Sequence, residues 1–192
     1  MSEKINSKED FINQYADKIW DRASLVDPET GRFYDEHTPI LSALYHGIDR
    51  FIEAQDKYNT YQTALEEVKA GRKRTHWIWY IFPQMRGLGH SYNSEYYGIE
   101  SLEEARAYLH HEVLGERLRE ITGTLLEHSD KSATDILGKI DAMKLRSSMT
   151  LFDMASPNDI FAEVLDMFYE GNRCKHTLRK FSTGDETTQT EN

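Results

Sequence analysis

The chain has 192 residues, of which 33 are acidic and 23 basic, so its formal net charge is −10. This length suits one domain, and 3 Trp, 11 Tyr and 8 Phe residues are enough to build a sizeable hydrophobic core. The single Cys excludes a disulfide scaffold, the lack of a long apolar run excludes a membrane span, and the acidic balance argues against a surface that coats nucleic acid throughout.

The first 45 residues form a predicted N-terminal extension with one helix and a loop. Their polar, charged start lacks the apolar core of a secretory signal, which predicts a cytoplasmic protein. Ser7 begins a capping pattern, and the apolar residues that follow at helical spacing predict a helix over residues 8–24. The turn cluster at 27–31 and Pro39 predict a loop over residues 25–40.

Beyond residue 40, apolar residues recur with the period of an α-helix. Candidate N-caps stand at Asn59, Ser101 and Asp159, and Gly71 and Gly171 are natural helix ends. The predicted helices cover the apolar stripes at 48–55, 61–68, 105–109, 113–125, 141–155 and 161–168, with short segments ending at 138 and 181. This pattern predicts one compact all-α domain of seven to eight helices over residues 46–181, followed by a disordered polar tail over residues 182–192.

The stretch from Trp77 to Phe82 is continuously aromatic or β-branched, and by propensity it resembles a buried strand. A second candidate strand that could pair with it is missing from the pattern. Thr75 can cap a helix and Pro83 can end one, so the sequence favours a short buried helix.

The segment 68–94 contains no Asp or Glu, although the chain as a whole is acidic. It carries basic side chains between flexible glycines and beside aromatic residues: Lys69, Arg72, Lys73, Arg74, His76, Arg86 and His90. Cations beside aromatic surface and exposed backbone N–H groups suit a phosphate joined to a stackable ring. The alternative is structural, with the aromatic residues in the core and the cations at a helix C-terminus, where the helix dipole favours them.

A second group of polar residues lies inside the predicted helix 141–155. At about 100° per residue, Lys144, Ser147 and Ser148 share an arc with apolar residues, whereas Arg146, Thr150 and Asp153 are predicted to face solvent. Lys144 and Ser148 are four residues apart, so they could meet as a nucleophile and its base. The alternative, which we favour, is a non-catalytic polar role with the hydroxyls bonded to their own helix.

Other chemical motifs are weak. The eight His residues show no metal-ligand spacing, and Cys174 and His176 alone are too few for a metal site or a nucleophile. No dinucleotide-binding or serine-hydrolase motif is present. The sequence therefore assigns no catalytic residue, cofactor, metal or oligomeric state.

Two motifs carry a family resemblance. Residues 76–84 read H-W-x-W-x-I-F-P-Q, and residues 147–152 read S-S-M-T-L-F. Over about residues 46–181 the chain resembles the domain of unknown function 1810 family, and this resemblance implies an all-α fold with both motifs in one site. Some members are labelled calpastatin, although an inhibitor that works as a disordered chain needs no Trp-rich core. The resemblance implies no substrate.

We expect the helix around Ser147 to pack against the segment 76–91 and to form a concave, electropositive pocket. Of Trp77 and Trp79, which diverge by about 200° on a helix, one should pack inside while the other, or His76, borders the cleft. The predicted ligand-binding residues are His76, Trp77, Trp79, Gln84, Lys144, Ser147 and Ser148, with Arg74 or Arg86 at the mouth.

Two functions follow from this predicted pocket. The first is binding of an anionic small molecule, nucleotide-like or phosphorylated; the second is a non-catalytic module that binds a protein or RNA. Because no general base stands out, binding ranks above catalysis. RNA affinity should fall steeply with salt, whereas a pocket ligand should raise the melting temperature by mass action.

Overall fold

The structure, a computed structural model, describes residues 46–182, and its regular elements in that range are helices. They are α1 (Asp49–Asp56), a 3-10 helix (Lys57–Asn59), α2 (Thr60–Lys69), α3 (Ile78–Ile81), α4 (Tyr92–Tyr96), α5 (Leu102–His110), α6 (Glu112–Leu126), α7 (Ala133–Leu137), α8 (Lys139–Ala155), α9 (Ile160–Tyr169) and α10 (Lys175–Ser182). The all-α prediction is confirmed. The helices outnumber those expected, and α4, a single turn of five residues, was not predicted. The predicted helix 8–24, the loop 25–40 and the tail from residue 183 lie outside the described residues.

The structure shows which of the predicted N-cap residues make capping hydrogen bonds. Ser101 accepts a hydrogen bond from the Glu104 amide at the start of α5, and Asp159 accepts one from the Ile160 amide at the start of α9. Asn59 precedes α2, but its side chain makes no capping bond because its backbone is left-handed, with φ 55°. The sequence analysis missed the cap of α6, where the His111 ring accepts from two backbone amides.

The aromatic stretch 77–82 forms the short buried helix that was expected, with α3 at its centre. Trp77, Ile78, Ile81 and Phe82 are buried in the main hydrophobic core. Within residues 46–182 the closest approach to a sheet is one isolated bridge between Met85 and Ile99. In the same range, no helix combines the length and apolarity that crossing a membrane requires.

Helix α8 is central, since α5, α7, α9 and α10 all pack against it. The prediction that Thr150 and Asp153 face solvent is wrong, because both are buried. The chain returns over this face: the Thr150 hydroxyl accepts from the Cys174 amide at 2.9 Å, and Asp153 pairs with Arg173. A helical wheel reveals one apolar face, but it cannot show a polar face that a later segment covers.

Two buried arginines hold the connection between α3 and α5. Arg50, which is 1 % exposed, donates to the carbonyls of Tyr96 and Gly98 and pairs with Glu104 at 2.7 Å. Arg86 donates to the same Gly98 carbonyl at 3.1 Å. Gly98 has no room for a side chain, because a Cβ atom there would lie 2.8 Å from the Arg86 Cα. These contacts hold Arg86, the residue that precedes the turn 87–89, against the segment around Gly98.

Candidate functional site

A cavity of about 760 Å³ lies where α8, the turn 87–89 and the start of α10 meet. One side is formed by a single face of α8, and the opposite side by the segment 84–94 and the residues around Cys174. The lining residues are Gln84, Gly87, Leu88, Gly89, Ser94, Ile140, Met143, Lys144, Arg146, Ser147, Asn172, Cys174, Lys175 and His176. Its position adjoins both sequence motifs, since Gln84 ends one of them and Ser147 begins the other.

The predicted site residues are divided between this cavity and other places. Gln84, Lys144 and Ser147 line it. Trp77 is fully buried, and its indole N–H donates to Glu67 at 2.8 Å. Trp79 is half-buried and lies beneath Lys144, whose Nζ is 4.6 Å from the centre of its indole ring system.

The remaining predicted residues do not line the cavity. His76 and Arg74 are exposed on the connection between α2 and α3. Arg86 is buried and donates to the carbonyls of Glu95 and Gly98, which explains why it is not at the mouth. Ser148 is fully buried on α8, and its hydroxyl has no hydrogen-bond partner in the part of the chain that the structure describes.

Lys144 is held by a carboxylate rather than by Ser148. Its Nζ lies 2.8 Å from Asp141 Oδ1, and the other oxygen of Asp141 is 2.8 Å from the Nζ of Lys73. Burial opposes ionisation of Asp141, but the hydrogen bonds from Lys144 and Lys73 prevail and hold the pKa of that carboxyl below its usual value. Lys73 in turn lies over Trp77 at 5.0 Å. Asp141 therefore links Lys73, from the basic segment 68–94, to Lys144, from the polar residues of α8. Because Lys144 pairs with Asp141, it is not placed as a base for Ser148.

The start of α10 places a thiol in the cavity wall. The Ser147 hydroxyl donates to Cys174 Sγ at 3.2 Å. Burial by itself raises the pKa of the Cys174 thiol, but hydrogen bonds from Ser147, Thr177 and His176 outweigh it and hold that pKa below its ordinary value. The wall therefore stabilises a negative charge at this sulfur, as is common for thiols at helix N-termini.

The charge of the wall is positive. Its lining residues include Lys144, Arg146 and Lys175 but no Asp or Glu. The Arg146 guanidinium donates to the carbonyls of Asn172 and Arg173 and pairs with no carboxylate among residues 46–182. The side chains of Lys175 and His176 are exposed and form no hydrogen bond or ion pair within the described range. Of these three cations, Lys144 alone pairs with a carboxylate of residues 46–182, that of Asp141.

Sequence reasoning missed Cys174, Lys175 and His176 as lining residues. A signal for them existed, because the segment 171–184 contains no Asp or Glu, the same property that singled out 68–94. Across residues 46–182, no cluster of three or more His, Cys, Asp or Glu side chains is arranged to hold a metal ion.

Comparison with known proteins gives one family and one solved structure. The family model described as "Protein of unknown function (DUF1810)" matches residues 45–181. The crystal structure of the conserved hypothetical protein Rv1873 from Mycobacterium tuberculosis, at 1.38 Å, is 46% identical in sequence, with a TM-score of 0.66. The match covers 69% of this chain and 94% of that one. No curated protein matches the chain.

Proposed function

The chain belongs to the DUF1810 family of proteins of unknown function, and we propose that the cavity between α8 and the start of α10 binds an anionic, nucleotide-like or phosphorylated small molecule. The observation that carries this proposal is the charge of the wall. In a chain of net charge −10, the cavity is lined by three cations and no carboxylate. Such a local reversal of charge concentrates anions at the cavity and raises their rate of association.

Two cations of the wall, Arg146 and Lys175, favour a phosphate group as the ligand. Among residues 46–182, Arg146 has no carboxylate partner, and the Lys175 side chain makes no hydrogen bond or ion pair that a ligand would have to break. Lys175 and His176 also begin α10, where the helix dipole is positive. Arg, Lys and a helix N-terminus are the groups that most often hold phosphate oxygens.

The cavity also has the right size. Its volume of about 760 Å³ lies within the range of about 300–1,000 Å³ that small-molecule sites occupy. Apolar side chains, Leu88, Ile140 and Met143, share the wall with the cations. This mixture suits a ligand with an anionic group and a less polar body.

Binding is favoured over catalysis. A serine nucleophile needs an adjacent base, but Lys144 pairs with Asp141 and Ser148 is sealed inside the fold. Ser147 does reach the cavity, but its Oγ lies 3.2 Å from both Cys174 Sγ and the Met143 carbonyl oxygen, and its single proton is directed to these two acceptors. Neither serine has the partner that would activate it.

The proposal is tested by calorimetry and thermal shift with pyrophosphate and adenosine 5′-monophosphate as probes. A ligand present at about 100 times its Kd should stabilise the fold by about 2.7 kcal/mol. Lys175→Ala should weaken binding about tenfold, the effect of losing one charge-assisted hydrogen bond. The matched control is Lys69→Ala, an exposed lysine on α2 outside the cavity.

The proposal is contradicted if neither probe stabilises the fold, or if the wild type and the Lys175→Ala variant bind the probes with equal affinity. The same titration separates the pocket ligand from RNA as a partner. An RNA with many phosphates neutralised by the protein loses affinity by orders of magnitude between about 50 and 200 mM salt, whereas one phosphate group in a pocket should show a shallow salt dependence.

A further inference from the structure

Gln84 is a largely buried polar side chain that lines the cavity. It is 8 % exposed and lines the cavity, yet its side-chain amide takes part in no hydrogen bond within residues 46–182. The other buried glutamine behaves differently. Gln55, 1 % exposed, donates to the Tyr80 carbonyl and the Tyr108 hydroxyl and accepts from Arg117. The fold thus satisfies one buried amide completely and leaves the second open toward the cavity.

The Gln84 amide is open to the cavity rather than sealed inside the fold, so solvent or a bound molecule can pair with it. A ligand that displaces solvent from this amide must pair with it in turn, because a buried donor or acceptor left unmade is unfavourable and the large majority of such groups are bonded in folded proteins. The Gln84 carboxamide offers an N–H₂ donor beside a C=O acceptor. Its complement is a flat molecular edge that also carries one donor beside one acceptor.

The apolar part of the same wall is unusually exposed. Ile140 is 71 % exposed and Met143 is 66 % exposed, and both line the cavity on α8. They are three residues apart and lie on the face that carries Lys144 and Ser147, since positions 140, 143, 144 and 147 follow helical spacing. An apolar ring or chain would cover these two side chains, whereas a bare sugar phosphate would not.

Building on the proposed function, we infer that the ligand is a nucleotide whose base presents a hydrogen-bond donor beside an acceptor, as adenine does, and that Gln84 selects this base. Gln pairs with the adenine edge through the same two groups where proteins recognise adenine in nucleic acids. The apolar side chains of Ile140 and Met143 suit the ring, and the cations Arg146 and Lys175 suit the phosphate. Gln84 is therefore a specificity-determining residue.

The test compares four compounds by calorimetry on the full chain. They are adenosine 5′-monophosphate, purine riboside 5′-monophosphate, ribose 5-phosphate and pyrophosphate. The purine riboside compound differs from the adenosine compound in lacking the 6-amino donor. We expect the wild type to prefer the adenosine compound over the purine riboside compound by a factor of about 5 to 150, the value of one bidentate base contact. Ribose 5-phosphate should bind more weakly than either.

The variant Gln84→Leu should abolish this preference while its affinity for pyrophosphate stays within about twofold of wild type. Leucine has a similar size and removes no hydrogen bond of the fold, and Gln84→Met serves as a second variant of similar shape. Gln62→Leu, on the exposed surface of α2, is the matched control and should keep the preference.

Equal affinity of the wild type for the adenosine and purine riboside compounds overturns the inference, as does a preference that persists in both Gln84 variants. In these cases, binding of pyrophosphate would still support the proposed function. If none of the four compounds binds, the proposed function fails and the inference fails with it.

Discussion

Glu67 holds the connection between α2 and α3 through four hydrogen bonds to one carboxylate. Its Oε2 accepts from the Arg74 amide at 2.8 Å, the Thr75 amide at 3.1 Å and the Trp77 indole N–H at 2.8 Å. Its Oε1 accepts from the Thr75 hydroxyl at 2.9 Å. Because Trp77 is fully buried in the core, this carboxylate links a surface turn to the core.

Two substitutions separate the charge of Glu67 from its hydrogen bonds. In Glu67→Gln, the amide oxygen can accept the three N–H groups and the amide nitrogen can donate to the Thr75 hydroxyl, so mainly the charge is lost, at a cost of about 1 kcal/mol. Glu67→Ala leaves the buried Trp77 N–H unpaired and removes the other three bonds. We expect it to cost about 2–4 kcal/mol of unfolding free energy.

The same carboxylate predicts a pH dependence. Burial raises the pKa of Glu67, but the hydrogen bonds from Arg74, Trp77 and Thr75 outweigh it and hold that pKa below its ordinary value of 4.5. A folded pKa lower than the unfolded one gives stabilisation that is complete above the unfolded pKa. It is lost as the pH falls through the folded pKa, and Glu67→Gln, which has no proton to bind there, should lack this loss.

Urea denaturation followed by far-ultraviolet circular dichroism measures these effects at pH 7 and at pH 3.5. We expect the gap between wild type and Glu67→Gln to be present at pH 7 and to narrow at the lower pH. A Glu67→Ala variant within about 0.5 kcal/mol of wild type at pH 7 would refute the reasoning. A gap between wild type and Glu67→Gln that widens on acidification would refute the direction of the pKa shift.

Three further predictions concern α6, α8 and the start of α10. Thr150→Val removes the acceptor of the Cys174 amide and should cost about 1–3 kcal/mol in urea denaturation. Ser147→Ala removes a donor to the only Cys of the chain, so the pH profile of iodoacetamide labelling should move to higher pH. Gly115→Ala should destabilise by at least about 2 kcal/mol, because its Cβ would lie 2.1 Å from a backbone carbonyl oxygen. Gly123→Ala in the same helix should be neutral or stabilising by up to about 1 kcal/mol, since the nearest atom is 3.5 Å away.

Each of these predictions has a clear contrary result. Unchanged urea midpoints for Thr150→Val would show that the Cys174 amide finds another acceptor. A labelling profile that stays in place for Ser147→Ala would show that the helix amides alone set the thiol pKa. Equal stabilities of the two glycine variants would contradict the close packing of α5 on α6.

The fold was predictable because local signals and long-range packing agree. The cap at Ser101 and the apolar stripe after it specify α5 without reference to any other element, and the structure confirms both. Residue propensities left residues 77–82 ambiguous between a strand and a helix. The lack of a second candidate strand in the sequence decided in favour of a helix. The exposure of Thr150 and Asp153 could not be decided in this way, because the residues that cover them lie 20 and 24 residues later in the chain.

The candidate site was predictable only in part. Helical spacing placed Lys144 and Ser147 on one face, and the acid-free segment 68–94 directed attention to Gln84. The same segment also contains His76 and Arg74, which are exposed away from the cavity. Charge patterning along a sequence reports where cations are concentrated, but it does not report which of them face one another after folding.

What separates a binding cation from a structural one in this protein is the identity of its partner. Lys73 pairs with Asp141, and the Arg86 guanidinium lies 3.4 Å from Glu100, so carboxylates of the fold neutralise these two charges, whereas Arg146 donates to backbone carbonyls alone. Arg146 and Lys175 have no carboxylate partner in the described range, although Asp and Glu outnumber Lys and Arg in the chain. Since surface carboxylates are plentiful, their exclusion from one cavity wall favours an anion that arrives from outside over a purely structural role for these two cations.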